Sequence, residues 1–169
     1  MLDFVNSLLK KFFGSKAERD LKELTPFVGL INTEFEKLSG LSNDALRGKT
    51  QEFKAQIQNY IQEIENELKE LNNTAEENTE MDLQEKEKLF SRVDDLKKER
   101  NQKIEEILLE ILPSAFAVVK ETARRLKENS ELEVTATDHD KNLAVKKSNV
   151  VIRGDKAYYQ KDRKSTRLN

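Results

Sequence analysis

The 169-residue sequence contains no cysteine, no tryptophan, one histidine and two prolines. Without cysteine there is neither a disulfide framework nor a thiolate metal site, which fits a reducing cytosol. No apolar run approaches the roughly 18 residues that span a bilayer. The start of the chain is not a secretory signal, because Lys10 and Lys11 interrupt its apolar residues and no small-residue cleavage site follows. A strong excess of either charge is also missing. The net charge of -2 argues against a general nucleic-acid binder and predicts no nucleic acid among the partners. Hydrophobic residues make up 36% and charged residues 37% of the chain, too lean a mixture for a large compact core. Long solvated helices are expected instead.

What is present begins with a short amphipathic segment. At about 100° per residue, Leu2, Phe4, Val5, Leu8, Leu9, Phe12 and Phe13 fall on one half of a helix, opposite Asp3, Asn6, Ser7, Lys10 and Lys11. Gly14 ends it, and Lys16 and Arg19 keep its surroundings basic. Two readings stand. The helix docks on its own domain, or it lies in a membrane interface with lysines toward anionic lipid or an acidic partner. On the second reading the contact residues are Leu2, Phe4, Val5, Leu8, Leu9, Lys10, Lys11, Phe12, Phe13 and Lys16.

Thr25-Pro26 predicts the next helix start, with threonine capping and proline at the first helical position. Phe27, Leu30, Ile31 and Phe35 supply its apolar residues, and Gly40 is expected to stop it. Ser42 then caps a much longer helix in which Phe53, Ile57, Ile61, Ile64, Leu68 and Leu71 recur at spacings of four and three, the seam of a coiled coil. The stretch NNTAEENTEMD breaks that pattern. Asp82 and Glu85 open a return helix carrying Leu89, Val93, Leu96, Ile104, Ile107 and Ile111, so a helical hairpin is predicted. Between Gln62 and Gln102 thirteen acidic and seven basic side chains form a solvated exterior. Pro113 is expected to end the return helix, with an apolar helix over 114–126 behind it. Beyond that, ELEVTATD and NVVIRGDKAYY read as short strands, with Gly154-Asp155 as a hairpin turn.

Several apparent motifs carry no chemistry. Gly48-Lys49-Thr50 spells the end of a phosphate-binding loop, but Asn43 stands where that loop needs glycine, and the tripeptide lies inside a predicted helix. Asp138-His139-Asp140 reads as solvated surface, since three adjacent ligands lack a supporting shell. Arg153-Gly154-Asp155 is a tight turn. No catalytic, cofactor-binding or metal-binding set can be assembled from this chain.

Two stretches nevertheless carry a family resemblance. Leu41, Ser42, Asn43, Asp44, Leu46, Arg47, Lys49, Thr50, Glu52 and Phe53 match one early pattern of the SecA family, the motor ATPases of bacterial protein export. Leu112, Pro113, Ala115, Phe116, Ala117, Val119, Lys120, Glu121 and Arg125 match a later one, with Ser114 in place of the usual glutamate. The resemblance covers residues 1–160, and 60–110 and 126–160 look like insertions of a longer-chain branch. It implies a mainly α chain with a short β segment near the C-terminus: an N-terminal amphipathic helix, a long antiparallel helical hairpin and the leading edge of a DEAD-like α/β motor domain. The corresponding division is 1–16 for the amphipathic helix, 17–58 for the first motor-domain helices, 59–110 for the hairpin and 111–160 for the start of the nucleotide-binding domain. Residues 161–169, KDRKSTRLN, read as a non-native tail of no assigned function.

By the same resemblance the full-length family uses ATP and magnesium, and its adenine, phosphate and magnesium motifs would lie beyond residue 169. This chain alone is expected to be inactive. A SecY-type translocon, preproteins and an anionic membrane surface are the implied partners, homodimer formation stays open, and the implied location is the cytoplasm with peripheral attachment to the inner membrane. The apolar face of 114–126 is expected to pack on a motor sheet largely missing from this chain. The alternative is a free-standing helical-hairpin interaction module with a membrane-surface N-terminal helix.

Overall fold

The computed structural model describes residues 16–78 and 81–161. Three long helices come first: α1 (Lys16–Glu36), α2 (Asn43–Glu77) and α3 (Leu83–Glu128). Then follow β1 (Glu131–Thr135), α4 (Asp138–Lys146), β2 (Val150–Arg153) and β3 (Lys156–Gln160). The described chain forms two compact units, one of residues 47–115 and one of 16–46 together with 116–161.

Both prolines sit differently from expectation. Pro26 lies inside α1, ten residues past its start. Thr25 caps nothing, because its hydroxyl donates backward to the Leu21 carbonyl at 2.6 Å. α1 then ends at Glu36, ahead of Gly40, through tighter turns in which the Lys37 and Leu38 amides donate to the carbonyls of Glu34 and Phe35. Pro113 likewise does not end a helix; α3 runs through it for 46 residues. An interior proline forfeits one backbone hydrogen bond and costs about 3 kcal/mol. Burial of the Pro113 ring, of Ile111 before it and of Ala117 after it opposes a break there.

Within the 47–115 unit, Ile64, Leu68, Val93 and Leu96 form a core, with Leu71 and Leu89 packed against it. Polar contacts flank it: Tyr60 donates to Glu106 at 3.1 Å, Arg100 to Glu65 at 3.3 Å and Arg92 to Glu67 at 2.7 Å. Residue numbers on α3 thus fall as those on α2 rise. Asp82 starts α3 by accepting the amides of Gln84 and Glu85 at 2.7 and 2.9 Å. The flanking ion pairs are largely exposed, so apolar packing holds this unit more than charge does.

The other unit has its own core of Leu38, Leu46 and Ala117, with Ile31, Phe35, Leu41 and Val118 against it. Ser42 caps α2, its hydroxyl accepting the Ala45 amide at 3.1 Å. The strands form an antiparallel sheet of order β1-β3-β2, in which Ala157 on the central strand pairs with Val134 on one side and Ile152 on the other. Ala157 is fully buried. Gly154, at φ 62, occupies the two-residue turn between β2 and β3, where a side chain would be strained.

The reading of 138–140 as solvated surface holds for Asp138 and His139 but fails for Asp140, which is completely buried. Its carboxylate accepts the Thr137 amide at 2.7 Å, the Thr137 hydroxyl at 2.8 Å and the Tyr159 hydroxyl. With Thr137 it completes a capping box at the start of α4 and ties that helix to β3. Three donors offset the desolvation that periodicity alone does not reveal.

Candidate functional site

Of the residues proposed from sequence for membrane or translocon contact, Leu2, Phe4, Val5, Leu8, Leu9, Lys10, Lys11, Phe12 and Phe13 lie outside the described residues. Lys16 opens α1 and is exposed. Gly48, Lys49 and Thr50 lie within α2, where Lys49 pairs with Glu52 at 2.6 Å. Their backbone amides belong to a helix interior and present no phosphate cradle.

The structure does bring together the two stretches, 41–53 and 112–125, that stand out in the sequence. The junction is a charge cluster around Glu121, whose side chain is 1% exposed. One helical turn on, Arg125 donates its Nε to Glu121 at 2.7 Å. The rest of its guanidinium reaches the loop before α2, with Nη2 donating to the Leu38 and Leu41 carbonyls at 3.2 and 2.8 Å and Nη1 to Asn43 Oδ1 at 2.8 Å. The planar fork thus ties the helix side of the cluster to the loop. Arg124, more exposed, grips both oxygens of the same carboxylate at 2.8 and 2.7 Å.

From that loop the network continues to the sheet. Asn43 passes its amide hydrogen to the Glu133 carbonyl at 2.9 Å, and Asp44 accepts both the amide and the hydroxyl of Thr135 at 2.8 Å. Backbone groups on the outer edge of β1 are therefore taken up by side chains from the start of α2. On the α1 side, Lys120 donates to Asn32 at 2.7 Å and sits 4.3 Å from the centre of the Phe35 ring.

The electrostatics define what this cluster can do. Hydrogen bonding from Arg124 holds the Glu121 carboxyl down at about 2, against the opposing pull of its burial, with Arg125 adding to the same lowering. A carboxylate ionised throughout the physiological range, with its oxygens engaged by two guanidinium groups, is neither a general acid nor a poised base. The cluster's work is architectural: Glu121 holds Arg125, which reaches the 38–43 loop, and Asn43 and Asp44 carry the link to β1. Sequence reasoning matched Asn43, Glu121 and Arg125 but assigned them no role; the available signal was a Glu-Arg pair four apart on the otherwise apolar start of a helix segment. Among the described residues no group of histidines or carboxylates is placed to hold a metal ion. No described helix is long and apolar enough to cross a membrane.

A second surface lies on the same stretch of α3. Phe116, Val119 and Leu126, spaced three and seven apart, are 56%, 64% and 41% exposed, while Ala117 and Glu121 are fully buried. This helix therefore carries two apolar stripes, of which only one is covered within the described chain.

Residues 9–139 match the model of the SecA DEAD-like domain family. The chain is 44% identical over 153 residues to the protein translocase subunit SecA of Amoebophilus asiaticus. It is 45% identical over 150 residues to that of Cytophaga hutchinsonii and 43% identical over 155 residues to that of Porphyromonas gingivalis. These matches cover 90%, 89% and 92% of this chain but 14%, 13% and 14% of the relatives, so the chain spans about one seventh of their length. No solved structure matches it.

Proposed function

This chain belongs to the SecA family, through the DEAD-like domain that its sequence matches, and we propose that it is the N-terminal part of an ATP-driven translocase that moves preproteins through a SecY-type channel. In this role it supplies scaffold rather than chemistry. ATP and magnesium are bound by later parts of such a protein, and this chain alone neither binds nor hydrolyses ATP. Residues 59–110, within the compact unit 47–115, form a helical hairpin inserted into the motor domain. Residues 1–16 attach the protein to the anionic cytoplasmic face of the inner membrane or to the translocon, with Leu2, Phe4, Val5, Leu8, Leu9, Phe12 and Phe13 in the interface and Lys10, Lys11 and Lys16 toward negative charge.

The observation that carries the scaffold reading is the uncovered stripe of Phe116, Val119 and Leu126. Burying an aromatic and two aliphatic side chains of this kind contributes about 1.5–3 kcal/mol each. We assign its cover to the rest of the motor domain. The test is reconstitution: this chain is mixed with the Amoebophilus asiaticus relative from which the matching 153 residues have been removed. Restored ATP turnover and preprotein transport are expected, with Phe116→Asp abolishing the restoration. Absence of a complex by gel filtration, with this chain folded, would instead favour a free-standing interaction module.

A further inference from the structure

Along the 47–115 unit lies an open groove of about 430 Å³, lined by Asn66, Lys69, Asn72 and Asn73 of α2 and by Lys97 and Arg100 of α3. Its charge runs against that of its surroundings. Three of the seven basic side chains between Gln62 and Gln102 line it, but of the thirteen acidic ones only Glu65 does. Positions 66, 69 and 73 are three and four apart, which gathers them on one face of α2.

The bases here are weakly engaged. Lys69 is exposed and has no acidic partner among the described residues. Lys97 pairs with Asp94, one turn back on its own helix, at 3.4 Å, and both side chains are more than half exposed. Arg100 reaches Glu65 through Nη1 at 3.3 Å, long for a charge-assisted bond, and its Nε is buried with no partner. A guanidinium offers five donors, so this one is short of acceptors.

We propose that the groove binds an extended acidic segment of another protein, with its carboxylates on Lys69, Lys97 and Arg100 and its backbone against the three asparagines. Charge complementarity selects the acidic side chains, and an arginine fork suits a carboxylate. The asparagines select a peptide. Each side-chain amide presents an acceptor beside its donors, which a peptide group can use on both sides and a phosphate or sulfate cannot. From Asn66 to Asn73 the helix rises about 10 Å, the length of about three residues of extended chain.

The test uses the full chain and a fluorescein-labelled peptide of six aspartates, read by fluorescence anisotropy, beside the same peptide made of serines. Saturable binding of the aspartate peptide alone is expected. Lys69→Ala with Lys97→Ala is expected to weaken it about tenfold, whereas Lys88→Ala with Lys98→Ala, two bases of the same unit outside the groove, changes it less than about twofold. Asn66→Ala with Asn73→Ala is expected to weaken the peptide several-fold and to leave competition by sulfate unchanged. Circular dichroism checks that every variant is folded. Equal loss in the two lysine pairs would reduce the binding to general attraction and overturn the proposal. So would the absence of saturable binding. Peptide affinity that ignores the asparagines, with sulfate displacing the peptide, would replace the peptide site with one for simple anions.

Discussion

The Arg125 guanidinium donates to the Asn43 side-chain oxygen at 2.8 Å across 82 positions of sequence. That bond links the helix carrying Glu121 to the loop that starts α2, and through the Asn43 amide to β1. Arg125→Ala removes donors from the Leu38 and Leu41 carbonyls and from Asn43, and leaves Glu121 to Arg124 alone. Breaking a buried pair in this way costs about 3–5 kcal/mol. Urea unfolding of the 16–46 and 116–161 unit, followed at its own residues by amide exchange, checks the loss. Arg125→Lys is expected to recover little of it, since an ammonium cannot reach all four acceptors from one plane.

Acid weakens the same junction. The Glu121 carboxyl lies lower in the folded chain, at about 2, than the ordinary 4.5. Its contribution to stability is therefore complete above about 4.5 and is lost as pH falls toward 2. In Glu121→Gln that slope is absent. Unfolding midpoints taken from pH 6 to pH 2 are expected to converge for the two proteins at the acid end; parallel curves would exclude Glu121 as the titrating group.

Tyr159 and Asp140 form the other buried polar contact that fastens α4 to the sheet. A hydrogen bond to a charged acceptor contributes about 1.5–3 kcal/mol, which is the loss expected for Tyr159→Phe. Asp140→Ala is expected to cost more, because the capping box goes with it. Thermal melts of both variants give the comparison, and a Tyr159→Phe melt equal to that of the native chain would refute it.

In the 47–115 unit, position decides. Leu96 is 1% exposed and Leu83 is 82% exposed. Leu96→Ala is expected to cost about 2–5 kcal/mol and Leu83→Ala within about 0.5 kcal/mol of nothing. Helicity against urea separates the two.

For the N-terminal segment, the hydrophobic and electrostatic contributions predict different variants. Phe12→Ser is expected to weaken binding to anionic vesicles at low and high salt alike. Lys10→Glu is expected to weaken it mainly at low salt, a lysine near an anionic surface contributing about 1 kcal/mol that added salt screens. Co-sedimentation at two salt concentrations, with a chain beginning at residue 17 as reference, measures both. Equal binding by the shortened chain would place the contact elsewhere.

Much of this protein follows from its sequence by local rules. Ser42 and Asp82 announce helix starts because a cap bonds amides two or three residues away. Ile61, Ile64 and Leu68 announce a buried face because a helix returns to the same side every three or four residues. Gly154-Asp155 announces a turn because the backbone there needs a positive φ. Each signal is complete within a few positions. Tertiary structure decided that Pro113 stays inside a helix, that Asp140 is buried while its neighbours Asp138 and His139 are exposed, and that Arg125 reaches the 38–43 loop. In each of these the deciding energy comes from outside the local pattern. A missing backbone bond is tolerated when packing opposes a break, and a charge can be buried where donors converge on it, for Asp140 the nearby Thr137 and the distant Tyr159.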